Sequence, residues 1–212
     1  MRFKNREEAG EQLARFILNF GFKIDLVIGL PRGGLVTAQV VAEKLNVPMD
    51  YVLAKKIGPP GNPEYAIAIV TIDGEILKGD DPFTFSQISE EYLTRTASNY
   101  LKDLIIRDEI YRKALPKREI KNKKVLVVDD GLATGLTVEA AVDYLLREGA
   151  TEVYVAAPVG STEAVERLKN KTREVLVIHT PDIFYAVGEF YQEFYPISED
   201  LVLEILTKER TE

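Results

Sequence analysis

The chain has 212 residues and a formal charge of −7, a length that suits one substantial hydrophobic core and a charge that opposes a general nucleic-acid-binding surface. It contains no cysteine and a single histidine. That excludes disulfides, thiolate nucleophiles, zinc–thiolate sites, iron–sulfur clusters and multi-histidine metal centres, leaving carboxylates, water and substrate oxygens to hold any metal, as Mg²⁺ prefers.

The opening residues Met1 to Glu8 lack the apolar stretch of a secretory signal. No later apolar run approaches the ~20 residues that span a bilayer, so a cytoplasmic protein with no membrane contact is expected. Glu7 to Phe20 places Ala9, Leu13, Phe16, Ile17 and Phe20 at helical spacing before Gly21, which predicts an amphipathic helix. Leu26 to Leu30 is a short buried strand, broken by Pro31-Arg32-Gly33-Gly34 and followed by a helical pattern from Leu35 to Leu45. A second strand is expected over Tyr51 to Lys55.

Gly58-Pro59-Pro60-Gly61-Asn62-Pro63 is too rich in breakers for regular structure, and Asp73-Gly74 between two apolar runs signals a hairpin. Loop and hairpin are expected to form one protruding, mobile lid over about 55–77. Asp80-Asp81-Pro82 has the composition of a turn. Glu90 to Leu115 is one long helix or a broken pair, within an inserted helical segment of about 89–116. The basic cluster Lys113, Lys117, Arg118, Lys121, Lys123 and Lys124, interleaved with Glu119, is expected as a solvated turn. Beyond it the chain alternates: strand Val125–Val128, helix Val138–Arg147, strand Val153–Ala157, helix Glu163–Lys169, strand Val175–Ile178. Strands that are apolar throughout, alternating with helices, predict an α/β fold: a central parallel β-sheet flanked by helices, in a single domain.

The chemistry concentrates in Val125-Leu126-Val127-Val128-Asp129-Asp130-Gly131-Leu132-Ala133-Thr134-Gly135-Leu136-Thr137. A buried strand delivers two adjacent carboxylates to the carboxyl edge of the sheet, where ligands bind in open α/β folds. Gly131 and Gly135 let backbone amides turn inward, Thr134 and Thr137 add hydroxyls, and a helix N-terminus follows; together these suit a phosphate. Carboxylates suit a diol or hydrated Mg²⁺ instead. A ribose phosphate carries both kinds of group.

This segment resembles the signature of type I phosphoribosyltransferases, which bind phosphoribosyl pyrophosphate (PRPP). The resemblance implies that fold, with a small C-terminal hood over about 179–197, and transfer of ribose 5-phosphate to a nucleobase-like acceptor with release of pyrophosphate. It also implies Mg²⁺ bound with PRPP, held at Asp129 and Asp130 through water. Pro31, Arg32, Gly33 and Gly34 are similar to the family's pyrophosphate loop. Lys55 or Lys56 would contact pyrophosphate from a closing loop, Gly58–Tyr65, in which Glu64 would assist proton transfer. That loop resembles one in a little-characterised branch of the family. Pro181 to Gly188, followed by Tyr191 and Phe194, looks like the base pocket of purine-type members, with Phe184 or Tyr185 as the stacking ring and His179 nearby.

Two positions depart from the family pattern. Ala133 stands where 6-oxopurine-using members place an acid, so the loop resembles adenine-using members. Gln192 displaces the hood's usual acid to Glu193. The implied partners are PRPP, a nucleobase with purine favoured, and a second copy of the chain in a homodimer. A non-catalytic PRPP or nucleotide sensor of the same fold is the competing expectation.

Overall fold

In the computed structural model, which describes residues 1–62, 66–80 and 88–211, apolar strands and helices alternate along most of the chain. The elements are α1 (Arg6–Leu18), β1 (Leu26–Gly29), α2 (Gly33–Leu45), β2 (Met49–Tyr51), β3 (Ala54–Ile57), β4 (Ala68–Thr71), β5 (Ile76–Lys78), α3 (Glu90–Ala114), β6 (Lys124–Val128), α4 (Leu136–Arg147), β7 (Glu152–Val159), α5 (Thr162–Lys169), β8 (Glu174–His179), a 3₁₀ turn over Val187–Phe190, and α6 (Glu199–Thr211).

Strands β2, β1, β6, β7 and β8, in that spatial order, form one parallel sheet. Successive side chains of a strand point to opposite faces, so β6 feeds two cores. Leu126 and Val128 pack with Leu13, Val41 and Leu104 on one side, and Val125 and Val127 with Val142, Leu145 and Leu168 on the other. Burial on both faces explains why these strands are apolar throughout rather than alternating. Local signals set the helix ends: the Asn5 side chain accepts the Glu8 amide at the start of α1, and Ser89 accepts that of Tyr92 at the start of α3. Among the described residues no helix is long and apolar enough to cross a membrane.

The structure corrects the sequence reading in four places. Tyr51 to Lys55 is not one strand: Tyr51 closes β2 in the main sheet, and after Val52 and Leu53 the chain enters a second, antiparallel sheet β3-β4-β5. That small sheet does not protrude, because all four residues of β4 are buried. Ile69 packs on Leu136 and Ala140 of α4, and Arg147 donates to Asp73 at the hairpin turn. The basic cluster is not uniformly solvated, since Arg118 donates to Met49 O and Glu209. Helix α6 has no counterpart in the sequence reading; Val202, Ile205 and Leu206 bury one of its faces in the core. Helix α3 is continuous over 25 residues, and Asp81 and Pro82 lie outside the described residues.

Candidate active site

Because β1 and β6 are adjacent and in register, Gly29 opposite Val128, the turns leaving their carboxyl ends meet. A Cβ placed on Gly33 would lie 2.1 Å from Asp130 Oδ2, and one on Gly34 would lie 2.5 Å from Asp129 Oδ1 and 3.1 Å from Asp129 Cα. The two glycines are therefore demanded by the close approach of one turn to the acids of the other. The peptide between Pro31 and Arg32 is cis. The Arg32 side chain is exposed and has no side-chain hydrogen bond or ion pair among the described residues.

The loop after the acids is anchored at one end and open at the other. Leu132 extends the pairing of β6 with β7: its amide donates to Val159 O at 2.9 Å, and its carbonyl accepts from Ser161 N at 2.9 Å. With its amide engaged and its side chain buried, Leu132 anchors the loop. Ser161 Oγ donates to Ala133 O at 2.5 Å and accepts from Ala164 N at 3.0 Å, so the residue that caps α5 also braces the loop. Gly135 has φ 75°, the left-handed region that glycine enters without penalty, and it turns the chain into α4. The amides of Ala133, Thr134 and Gly135 have no protein acceptor among the described residues, and that of Leu136 has only Thr134 Oγ1 at 3.4 Å. Free amides around a helix N-terminus are an anion cradle.

These parts surround a cavity of about 200 Å³ lined by Lys56, Asp129, Asp130, Gly131–Gly135, Thr137, Val138, Val187 and Phe194. Its electrostatics are mixed. Burial raises the pKa of Asp129 well above the usual carboxylate range, and the charge of Asp130 adds to the rise. Burial also raises that of Asp130, against the pull of Arg6, whose Nε donates to Asp130 Oδ2 at 2.6 Å. Asp130 N donates to Asp129 Oδ1 at 2.9 Å. Both acids line the cavity, so the pair offers carboxylate oxygens to hydroxyls or to the waters of a cation.

No group of three metal-ligating side chains occurs among the described residues. An all-protein cage for Mg²⁺ is thereby absent there. One or two carboxylates with substrate oxygens and water fit that cation better, as its usual coordination requires.

The two candidate lysines diverge, as neighbours on a strand must. Lys56 lines the cavity, whereas Lys55 pairs with Asp103 at 2.9 Å and lies over the Tyr100 ring at 3.9 Å, tying β3 to α3. Glu64 lies outside the described residues. Of the hood candidates, Phe184 stacks on Phe190 with centroids 5.2 Å apart, Tyr185 is 80% exposed, and the His179 ring packs edge-on against Phe190. None of the three lines the cavity. Phe194 does, with the Arg6 guanidinium 3.8 Å from its ring centroid. Glu193, the displaced acid, is exposed, with its amide bonded to Lys4 O.

Two contacts beside the acids escape sequence reasoning, although Tyr191 itself stands in the hood segment named above. Arg6 is 124 positions from Asp130 and only the folded chain joins them. Tyr191 is buried, and its hydroxyl donates to Asp130 O at 2.6 Å. Val187 would meet a Cβ on Gly131 at 2.5 Å, so that glycine lets the hood close onto the loop.

Comparison with known proteins aligns the phosphoribosyl transferase domain family with residues 3–194. The protein Rv0571c of Mycobacterium tuberculosis (strain ATCC 25618 / H37Rv), whose name carries a provisional assignment as a phosphoribosyl transferase, is 33% identical over 206 residues, 97% of this chain. That alignment covers 46% of Rv0571c, so the chain spans about half the length of this curated relative. The crystal structure of TT1426 from Thermus thermophilus superposes with a TM-score of 0.82 at 41% identity, covering 98% of this chain and 99% of TT1426. A shorter similarity, 41% identity over 64 residues, relates 29% of this chain to 23% of the ribose-phosphate pyrophosphokinase of Pyrococcus furiosus.

Proposed function

Since the chain belongs to the phosphoribosyl transferase domain family, we propose that it transfers ribose 5-phosphate from PRPP to a nucleobase, a purine by preference, with release of pyrophosphate. The observation that carries the proposal is the nesting of Gly33 and Gly34 against Asp130 and Asp129, two acids that line one cavity together with the open amide cradle. A diol would sit on the acids, a 5-phosphate in the cradle, and a pyrophosphate on the Arg32 turn. PRPP carries those three groups, with the diol between the 5-phosphate and the pyrophosphate.

In the reaction the bond from the anomeric carbon to the pyrophosphate oxygen breaks, and a bond from an acceptor nitrogen to that carbon forms. Mg²⁺, bound with PRPP, would supply charge neutralisation for the departing pyrophosphate. The chain's own residues do the rest. Arg32 offers a planar fork to phosphate oxygens as negative charge moves onto them, and Lys56 adds a point charge from the β3 side. Asp129 and Asp130 hold the ribose while positive charge develops at its anomeric carbon. The cradle, with Ser161 bracing the Ala133 carbonyl, fixes the 5-phosphate so that the nucleophile meets a positioned carbon. Ala133 supplies only its backbone here, so the proton lost by the acceptor goes elsewhere than to that position.

Pyrophosphate release from PRPP with Mg²⁺, measured across purine and pyrimidine bases, tests the proposal. Base-dependent release that falls at least about a hundredfold in Arg32→Ala, with the fold intact, is expected, because the arginine acts on charge present chiefly in the transition state. PRPP binding without turnover against every base would identify a sensor instead.

A further inference from the structure

Arg6 makes three contacts at once. Its Nε donates to Asp130 Oδ2 at 2.6 Å, its Nη1 donates to the Tyr195 carbonyl at 2.9 Å, and its guanidinium plane lies 3.8 Å from the centroid of Phe194. The Arg6 side chain is 9% exposed and that of Asp130 is 14% exposed, so the pair is largely withdrawn from water. The same hood segment is tied back to the chain's start: Phe3 N donates to Phe190 O, Gln192 N to Phe3 O and Glu193 N to Lys4 O. Tyr191 closes the circuit through its hydroxyl to Asp130 O.

We propose that Arg6 is a positioning residue that couples the hood ring Phe194 to the carboxylate of Asp130, so that occupancy of the acceptor side and of the sugar side are felt by one another. The proposal rests on the function given above. Phe194 is the aromatic ring that lines the cavity among the described residues, and Asp130 lines the same cavity. One face of Phe194 is covered by the guanidinium, so a ring that stacks at the hood shares its platform with the group that orients Asp130. Coupling by linkage is reciprocal, and a shared rigid group is the kind of physical element that carries it. A lysine at this position would keep the charge but could not make all three contacts, because it lacks the planar fork.

The test has a liganded arm and a ligand-free arm. In the first, Mg²⁺–PRPP is titrated calorimetrically into the wild type, Arg6→Ala, Phe194→Leu and the double variant. Arg6→Ala is expected to weaken binding about tenfold, the range for losing a hydrogen bond to a charged group. Phe194→Leu should weaken it several-fold, and the double variant should bind no worse than Arg6→Ala. Additive losses, or Arg6→Ala binding as well as wild type, overturn the proposal. If Arg6→Ala does not fold, Arg6→Lys, expected to fall between the two, replaces it in the same cycle.

In the second arm, Asp130→Asn is expected to speed hydrogen exchange at the Gln192 and Glu193 amides several-fold in the free protein. Unchanged exchange overturns the coupling. A wild type that ignores PRPP while this exchange effect appears would refute the proposed function and leave the coupling standing.

Discussion

Asp129→Asn should stabilise the ligand-free protein while removing its affinity for PRPP. Two adjacent carboxylates in surroundings of effective dielectric about 20 repel each other by about 3 kcal/mol. Arg6 bonded to Asp130, and Lys56 at the cavity rim, offset part of that repulsion. Asparagine keeps an oxygen to accept the Asp130 amide, now received by Asp129 Oδ1, so the substitution removes charge without orphaning a donor. A net gain of about 1 kcal/mol corresponds to a rise in melting temperature of about 2–4 °C for a chain of this size.

The pH dependence follows from the direction of the Asp129 shift. Its folded-state pKa is raised by burial and by Asp130, so the unfolded chain ionises first. The penalty is absent below the unfolded value of about 3.9 and grows as pH rises through the higher folded value. The advantage of Asp129→Asn should therefore be absent below about pH 3.9 and should grow as the pH rises above it. Thermal melts followed by circular dichroism across that range, alongside Mg²⁺–PRPP calorimetry, measure both halves. A variant less stable than wild type at neutral pH, or a gain that ignores pH, would rule out repulsion between the two acids as its source.

Three further outcomes can be checked together. Gly34→Ala puts a Cβ 3.1 Å from Asp129 Cα and 3.2 Å from Val128 O, backbone that cannot swing aside, so a loss of about 1–3 kcal/mol in denaturant melts and a collapse of PRPP binding are expected. Lys56→Ala should weaken PRPP binding measurably, whereas Lys55→Ala, which breaks the exposed pair with Asp103, should leave it unchanged and cost at most about 1 kcal/mol. Equal effects of the two in calorimetry would contradict the division of labour between the strand's faces. Ser161→Ala removes both the α5 cap and the brace on Ala133 O, and should cost about 1–2 kcal/mol in thermal melts and raise the KM for PRPP.

The sheet and most helices were legible because each buried strand leaves a continuous apolar run and each helix a periodic one. The acid pair and its cradle were legible because they are contiguous, thirteen residues from Val125 to Thr137. What escaped depends on contacts across the chain. Nothing local to Arg6 announces Asp130. The choice between Lys55 and Lys56 is a matter of strand phase, which the division of Tyr51 to Lys55 into two sheets sets. Phe184 and Tyr185 carry the composition of a pocket, yet Phe184 is spent on Phe190 and Tyr185 faces solvent. The ring at the cavity is Phe194, in a segment held by the first residues of the chain. Helix α6 is the exception, because Leu201, Val202, Ile205 and Leu206 have helical spacing and its signal is present in the sequence.

On the proposed function the acids and the amide cradle enclose one sugar phosphate, and calorimetric titration with PRPP, with and without Mg²⁺, would reveal it. Saturable binding that strengthens with Mg²⁺ and disappears in the Asp129→Asn, Asp130→Asn double variant is the expected result. Absence of binding by a folded wild-type protein, or binding that the double variant retains, would contradict it.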